Sequence, residues 1–441
     1  MTEVLTRPST EIQEGPERTM TSAPTWLQGM RTQASDKFAQ LGFPTRRNEE
    51  WRFTNVTAIA ETPFRQPTVA GSTLTVEGLA PFTYEGLLGT RLVFVNGHYQ
   101  PALSQREGLP VGVTVSPLAE ALSTQPELIE RHLARYAQFQ NEAFVALNTA
   151  SLGDGAFVHI PHGVVVDEPI HLLFVSTTDG APTVSHPRTL ILAGENSQST
   201  IIENYAGPAD QVYFTNAVTE VVAEENAVVD HYKVQRESAQ AYHVATMQVQ
   251  MHRAANFSSH SIGFGGKLVR NDANAVLAGE GCECTLNGLY MANERQLVDN
   301  HTSIDHAMPH CNSHEVYKGI LDGHARGVFN GKIFVRLDAQ KTDAKQTNKT
   351  LLLSKDAQIN TKPQLEIFAD DVRCTHGATI GQLSADALFY LRARGIPQDQ
   401  ARALLTYAFA SDVVSRIKVD AVRAQLDHAL LAERALEGLG A

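Results

Sequence analysis

From about residue 143 the chain runs for roughly 230 residues with side chains alternating at period two and almost no helical period. Thr189-Leu190-Ile191-Leu192, Tyr242 to Val249 and Lys332-Ile333-Phe334-Val335 read as strands. Strand blocks without interleaved helices exclude a doubly wound sheet. A longer repeat lies over them. Leu192-Ala193-Gly194-Glu195-Asn196 returns as Val222-Ala223-Glu224-Glu225-Asn226, and Asn256 follows one interval later, so three asparagines stand 30 residues apart. Leu277-Ala278-Gly279-Glu280-Gly281 repeats the cassette after a shorter step. Asp322-Gly323-His324-Ala325 and Ser354-Lys355-Asp356-Ala357 read as later copies. Small or αL-tolerant residues at a regular interval mark the corner of a coil. The pattern therefore predicts a β-solenoid. Its coils would stack about 4.8 Å apart, roughly seven or eight of them, into a rod on the order of 35–40 Å long. A β-sandwich or jelly roll would need hairpins at shorter intervals, and Asn-Gly and Asp-Gly signals are few.

The flanks differ in character. Residues 1–23 are rich in Thr, Pro and Ser, with Glu3, Glu11, Glu14 and Glu17 interspersed, and are expected to be a disordered tail. They lack the apolar stretch of a secretory signal and are too acidic for an organelle transit peptide, which points to the cytoplasm. Residues 24–142 form an N-terminal region of helices with short strands. Trp26, Leu27, Met30, Ala34, Phe38 and Leu41 predict a helix over 24–42, stopped by Gly42 and Pro44. A charged stretch from Thr45 ends on Trp51 and Phe53. Arg91 to Val95 reads as a strand, and a second helix is expected over 117–137. The solenoid is assigned to 143–383 and a helical C-terminal domain to 384–441. There a helix from Ala385 ends at Gly395 and Pro397. Beyond it Leu405, Phe409, Val413 and Ile417 fall at steps of four with Leu404 and Ala408 beside them. Such a stripe must bury against the end of the solenoid, a partner, or both.

With 36 basic and 48 acidic residues the net charge is -12, which disfavours contact with nucleic acid. Apolar runs are far too short to span a membrane. Gly265-Gly266-Lys267 is followed by Leu268 and Gly331-Lys332 by Ile333, so no phosphate-binding loop is present. Neither a G-x-S-x-G elbow nor an HExxH helix occurs. Acidic pairs such as Asp370-Asp371 leave a cytosolic carbohydrate-active β-helix enzyme as the alternative class.

Four cysteines, Cys282, Cys284, Cys311 and Cys374, are too few for a disulfide framework in a cytosolic chain of this size. In Cys374-Thr375-His376 an extended backbone turns thiol and imidazole to one face. A soft sulfur beside a nitrogen suits iron, zinc or a cluster edge. Two ligands are only part of a site that wants about four, so any cluster held here borrows the rest, most simply from another subunit. Cys282 and Cys284 share a face too and are expected to fill the core. The run His301, Asp305, His306, His310, Cys311 and His314 reads as a polar outer ladder, with an auxiliary metal site or metal store as the alternative; Pro309 interrupts it.

Several blocks resemble a known family. Thr361-Lys362-Pro363-Gln364-Leu365-Glu366-Ile367 and Asp370-Asp371-Val372-Arg373-Cys374-Thr375-His376-Gly377-Ala378-Thr379-Ile380-Gly381 are similar to the signature of the SufB/SufD family of the SUF iron–sulfur cluster assembly system. So are Gly327 to Ile333, Tyr390 to Ile396, Tyr407 to Ala410, and the early Arg46-Arg47-Asn48-Glu49-Glu50-Trp51-Arg52-Phe53-Thr54. Gly377 stands where the SufB branch usually has Glu, which favours the SufD branch over a SufB-like cluster carrier. The resemblance implies a right-handed parallel β-helix with helical ends and a non-catalytic scaffold. It implies pairing with a SufB-like paralogue and docking of a SufC-like ABC ATPase on the C-terminal helices, through Leu404, Leu405, Ala408, Phe409 and Val413. Cys374 and His376 would be cluster or metal ligands at the shared interface. A cluster or iron would pass there transiently, with no cofactor held stably by the chain alone. Self-pairing of the isolated chain through that interface stays open.

Overall fold

The computed structural model describes residues 23–67 and 74–432. The expected tail lies outside them, Ala23 excepted. Among the described residues the strands form two ten-stranded sheets, and from Arg188–Ala193 onward successive strands alternate between them. Each coil thus lays one strand on each sheet, and each strand pairs in parallel with the strand two further along. This is the expected parallel β-solenoid, flattened to two faces. On the second sheet the register steps from Gln198 to Val228, Asn256, Glu283, Asn312, Asp343 and Arg373, coils of 30, 28, 27, 29, 31 and 30 residues.

One column of corners explains the sequence cassettes. Asn196 and Asn226 adopt φ of 56° and 57°, as the spacing predicts. Asn256 does not: it already lies in a strand opposite Val228, and Ala254 (φ 53°) turns that corner instead. Gly281, His310 and Lys341 continue the column with positive φ. Each donates its backbone N–H to a carbonyl on the next coil, from Asn196 to Glu225 (2.9 Å) through His310 to Gln340 (2.9 Å) and Lys341 to Asp371 (2.6 Å). These bonds offset the roughly 1–2 kcal/mol that a left-handed conformation costs a residue with a Cβ. The supposed later copies belong to the opposite corner column. His324 N–H bonds Glu294 O (2.7 Å), and the Ser354 hydroxyl bonds Gly323 O (2.6 Å).

The helices cover the outer faces. Thr25–Leu41 forms as expected. The helix expected over 117–137 breaks into Leu118–Thr124 and Pro126–His132, because Pro126 forces Gln125 out of helical geometry (φ -137°, ψ 51°). Ala143–Ala150 is helical where strands were expected to begin; it is buried nearly all round and so carries no amphipathic period. These elements pack on the first sheet, with Phe38, Trp51 and Phe144 against Phe214, Val218 and Leu268. The C-terminal helices Gln398–Val414 and Asp420–Ala432 lie along the flank of the second sheet, not on the end of the rod. Val413, Ile417 and Leu426 pack there on Ile202, Tyr232, Ile262 and Leu289. Among the described residues no helix is long and apolar enough to cross a membrane.

The two ends of the solenoid are unlike. At the N-terminal end each sheet finishes in an antiparallel strand, His98–Tyr99 on Arg91–Val95 and Thr114–Pro117 on Gly155–Ile160. At the other end Gln358–Ile367 and Arg373–Gly381 are the last strands of their sheets. No residue of either is buried, and among the described residues nothing caps them.

Candidate functional site

On the strand Asp343–Leu352, Ala344, Gln346 and Asn348 point into the tube while Lys345 and Lys349 face solvent. The next strand of that sheet pairs Cys374 with Ala344 and His376 with Gln346. Parallel register keeps side chains on one face from coil to coil. Cys374 and His376 therefore both project on the inner side of the last rung, at the uncapped mouth of the solenoid.

Their surroundings differ. Cys374 is half-buried among Ile333, Val335, Ala344, Leu365 and Val372. Burial pushes its thiol above the ordinary range, and the Asp343 carboxylate adds to the shift. His376 is exposed. Beneath it, Gln346 donates its amide to Glu315 at 2.9 Å. Gly331 makes room for that amide, since a Cβ there would lie 2.2 Å from Gln346 Nε2. Burial pushes Glu315 up to about 7. The mouth thus presents one thiol and one imidazole above a floor of buried amide and carboxyl.

The other candidates are scattered. His301 is on the outer face of the first sheet, His306 inside the tube against Ser313 (2.9 Å), His310 at an exposed corner and His314 exposed on the second sheet. Asp305 pairs with Arg336 at 2.6 Å. Cys282, Cys284 and Cys311 are all in the interior core. Among the described residues no group of three or more His, Cys, Asp or Glu side chains is gathered for a metal. Asp371 is a corner fastener, its carboxylate paired with the Lys341 ammonium.

On the C-terminal helices Val413 is fully buried inside the chain, Leu404, Leu405 and Phe409 are partly buried, and Ala408 is exposed. Lys318 holds this helix by donating to Phe409 O (2.9 Å) and pairing with Asp412 (2.7 Å). Sequence reasoning expected the preceding helix, Ala385–Ala393, but not that it buries no residue and exposes Phe389 (75%) and Tyr390 (57%). Two adjacent aromatics near its end were the available signal. It also missed the cluster that clamps the early charged stretch. Arg270 lies 4.5 Å over the Trp51 ring and bonds Asp299 at 2.7 Å, while His301 reaches Asp299 (3.1 Å) and Glu50 (3.2 Å). Arg270 is 219 positions from Trp51 and 220 from Glu50, and Asp299 and His301 lie farther still, beyond any local pattern.

Comparison with known proteins identifies the family. Residues 174–409 match the family described as SUF system FeS cluster assembly, SufBD core domain, and residues 13–172 match the SufBD protein N-terminal region. The chain is 36% identical over 409 residues to an iron–sulfur cluster assembly SufBD family protein of Synechocystis, covering 91% of this chain and 89% of the relative. It is 32% identical over 404 residues to the iron–sulfur cluster assembly protein SufD of Escherichia coli (89% and 90% covered). The SufD of Bacillus subtilis is 27% identical over 419 residues (91% and 93%). The chain thus belongs to the SufBD family of iron–sulfur cluster assembly proteins.

Proposed function

We propose that this chain is a SufD-type scaffold in the cytoplasm, which supplies part of a ligand set for a nascent iron–sulfur cluster and leaves ATP hydrolysis to a partner. The carrying observation is that Cys374 and His376 share the inner face of the uncapped last rung. Two ligands there serve as half of a coordination sphere, and a SufB-like paralogue abutting the same mouth would supply the others. The free edges of Gln358–Ile367 and Arg373–Gly381 offer unpaired backbone groups for such a neighbour to extend. Cluster or iron is cargo at this junction. Burial raises the Cys374 thiol, and its ligation as a thiolate would release a proton.

The second partner is a SufC-like ABC ATPase. What supports its docking is the helix Ala385–Ala393, whose Phe389 and Tyr390 stand in solvent close behind the mouth strand. Of the stripe on the next helix, Leu404, Leu405, Ala408 and Phe409 retain surface for this contact, whereas Val413 is used up inside the chain.

The test is co-expression with the SufB- and SufC-like subunits, followed by cluster reconstitution. His376→Ala and Cys374→Ser should leave the complex assembled and lower cluster yield at least tenfold. Normal yield from His376→Ala would remove that imidazole from the site, and failure to co-purify would remove the scaffold reading.

A further inference from the structure

The interior of the solenoid holds a second pair of thiols, unrelated to the mouth. Cys282 and Cys311 immediately precede the paired residues Glu283 and Asn312, so they stand on consecutive coils at the same rung. The coils are bonded there, with Asn312 N–H donating to Cys282 O at 2.9 Å. Neighbouring strands lie about 4.8 Å apart, inside the roughly 4.4–6.8 Å range of Cα separations that a disulfide spans. The side chains converge as well as the backbones. Both sulfurs lie on one oxygen, Gly279 O, Cys282 Sγ at 3.2 Å and Cys311 Sγ at 3.3 Å.

We infer that Cys282 and Cys311 are a reactive dithiol, oxidised by a hydroperoxide to a disulfide that staples two consecutive coils. Three further features support this. The neighbouring Cys282 thiol and nearby backbone N–H groups hold the Cys311 thiol below its ordinary range, and with its place beside the exposed corner His310 this suits it as the attacking sulfur. The same contact raises Cys282, the resolving thiol. Both thiols are buried in the core, but each directly follows a positive-φ corner of its coil, Gly281 and the exposed His310, past which a small peroxide reaches it. Cys284, by contrast, faces Phe257 and Ser313 across its rungs and has no thiol partner there.

The chemistry balances with the peroxide as sole oxidant. Cys311 sulfur attacks a peroxide oxygen, an S–O bond forms, the O–O bond breaks, and the thiol proton leaves with the released water. Cys282 sulfur then attacks the sulfenic sulfur, the S–S bond forms, the S–O bond breaks, and a second water departs with the Cys282 proton. Two thiols lose two electrons and one hydrogen peroxide becomes two waters. A low-molecular-weight dithiol reverses the link by exchange.

The test uses the full chain carrying Cys374→Ser, which removes the thiol at the mouth and leaves three. Native protein is treated with hydrogen peroxide, quenched, and mapped by non-reducing peptide mass spectrometry. The expected result is a Cys282–Cys311 peptide two mass units below the reduced pair, a free-thiol count falling from three to one, recovery with dithiothreitol, and a Tm raised by several degrees. With Cys282→Ala added, Cys311 should instead be trapped by dimedone as the sulfenic acid. A thiol count that stays at three, or a linkage involving Cys284, overturns the inference. The readout requires neither partner nor cluster, so it stands apart from the scaffold reading.

Discussion

Arg188 and Glu220 meet at 2.6 Å with neither side chain reaching solvent. The pair fastens the N-terminal region to the solenoid. Glu220 also accepts the backbone N–H groups of Ala134, Tyr136 and Ala137 at 2.8–2.9 Å, and Arg188 reaches Asn148 and Thr149 on the buried helix. Removing the carboxylate strands a buried guanidinium and three amides at once. Glu220→Ala should therefore lower unfolding free energy by about 3–5 kcal/mol, read from urea titrations of variant and parent.

Gly331 and Gln346 form a second dependency. The amide nitrogen occupies the place a Cβ would take, and the rigid tube around it gives little room. Gly331→Ala should cost about 1–3 kcal/mol. Adding Gln346→Ala should return part of that loss, and a double-mutant cycle measures the coupling.

Glu315 gives the protein an alkaline liability. Its folded pKa, pushed to about 7 by burial, exceeds that of the unfolded chain. The contribution is fully present below the unfolded value and is lost as pH rises through 7, when a charge must be carried inside the tube. Glu315→Gln keeps the acceptor for Gln346 and removes the titration. Its stability relative to the parent should rise by roughly 3 kcal/mol between pH 5 and pH 9, measured by chemical denaturation at each pH.

The clamp on Trp51 titrates on both sides. Burial opposes both charges, but Arg270 and His301 hold Asp299 at about 2, and Asp299 holds the His301 imidazole above its ordinary value. The Asp299 contribution is present above its unfolded pKa and is lost as pH falls towards 2. The His301 contribution is present below its unfolded pKa and is lost as pH climbs through its raised folded one. The Tm difference between parent and His301→Asn should be largest near pH 6 and shrink by pH 9. A difference constant across that interval would show that His301 acts by packing alone.

The solenoid was legible because its signal is local: alternation within strands and left-handed corners that favour Asn and Gly. Asn196 and Asn226 were found for this reason. Ala254, His310 and Lys341 were not, since their left-handed backbone is held by bonds to the next coil that no residue type announces. Alternation likewise placed Cys374 and His376 on one face. That this face is the inner one at an open mouth follows from the Gln346 register and the lack of a cap among the described residues, both properties of the assembled coils. The stripe through Phe409 and Val413 revealed an amphipathic helix, while its choice of the flank depends on the apolar outer row Ile202, Tyr232, Ile262 and Leu289 contributed by four separate strands.

The flank attachment makes the tube a ruler. The helices after Gly381 grip strands several coils back, whereas Cys374 rides on the final rung, so the count of rungs between grip and tip sets the distance from those helices to the thiol. Inserting or deleting one whole turn would move that thiol by about 4.8 Å along the axis without disturbing the turns that remain. A change of turn number thus moves the tip while the helical attachment to the flank stays the same.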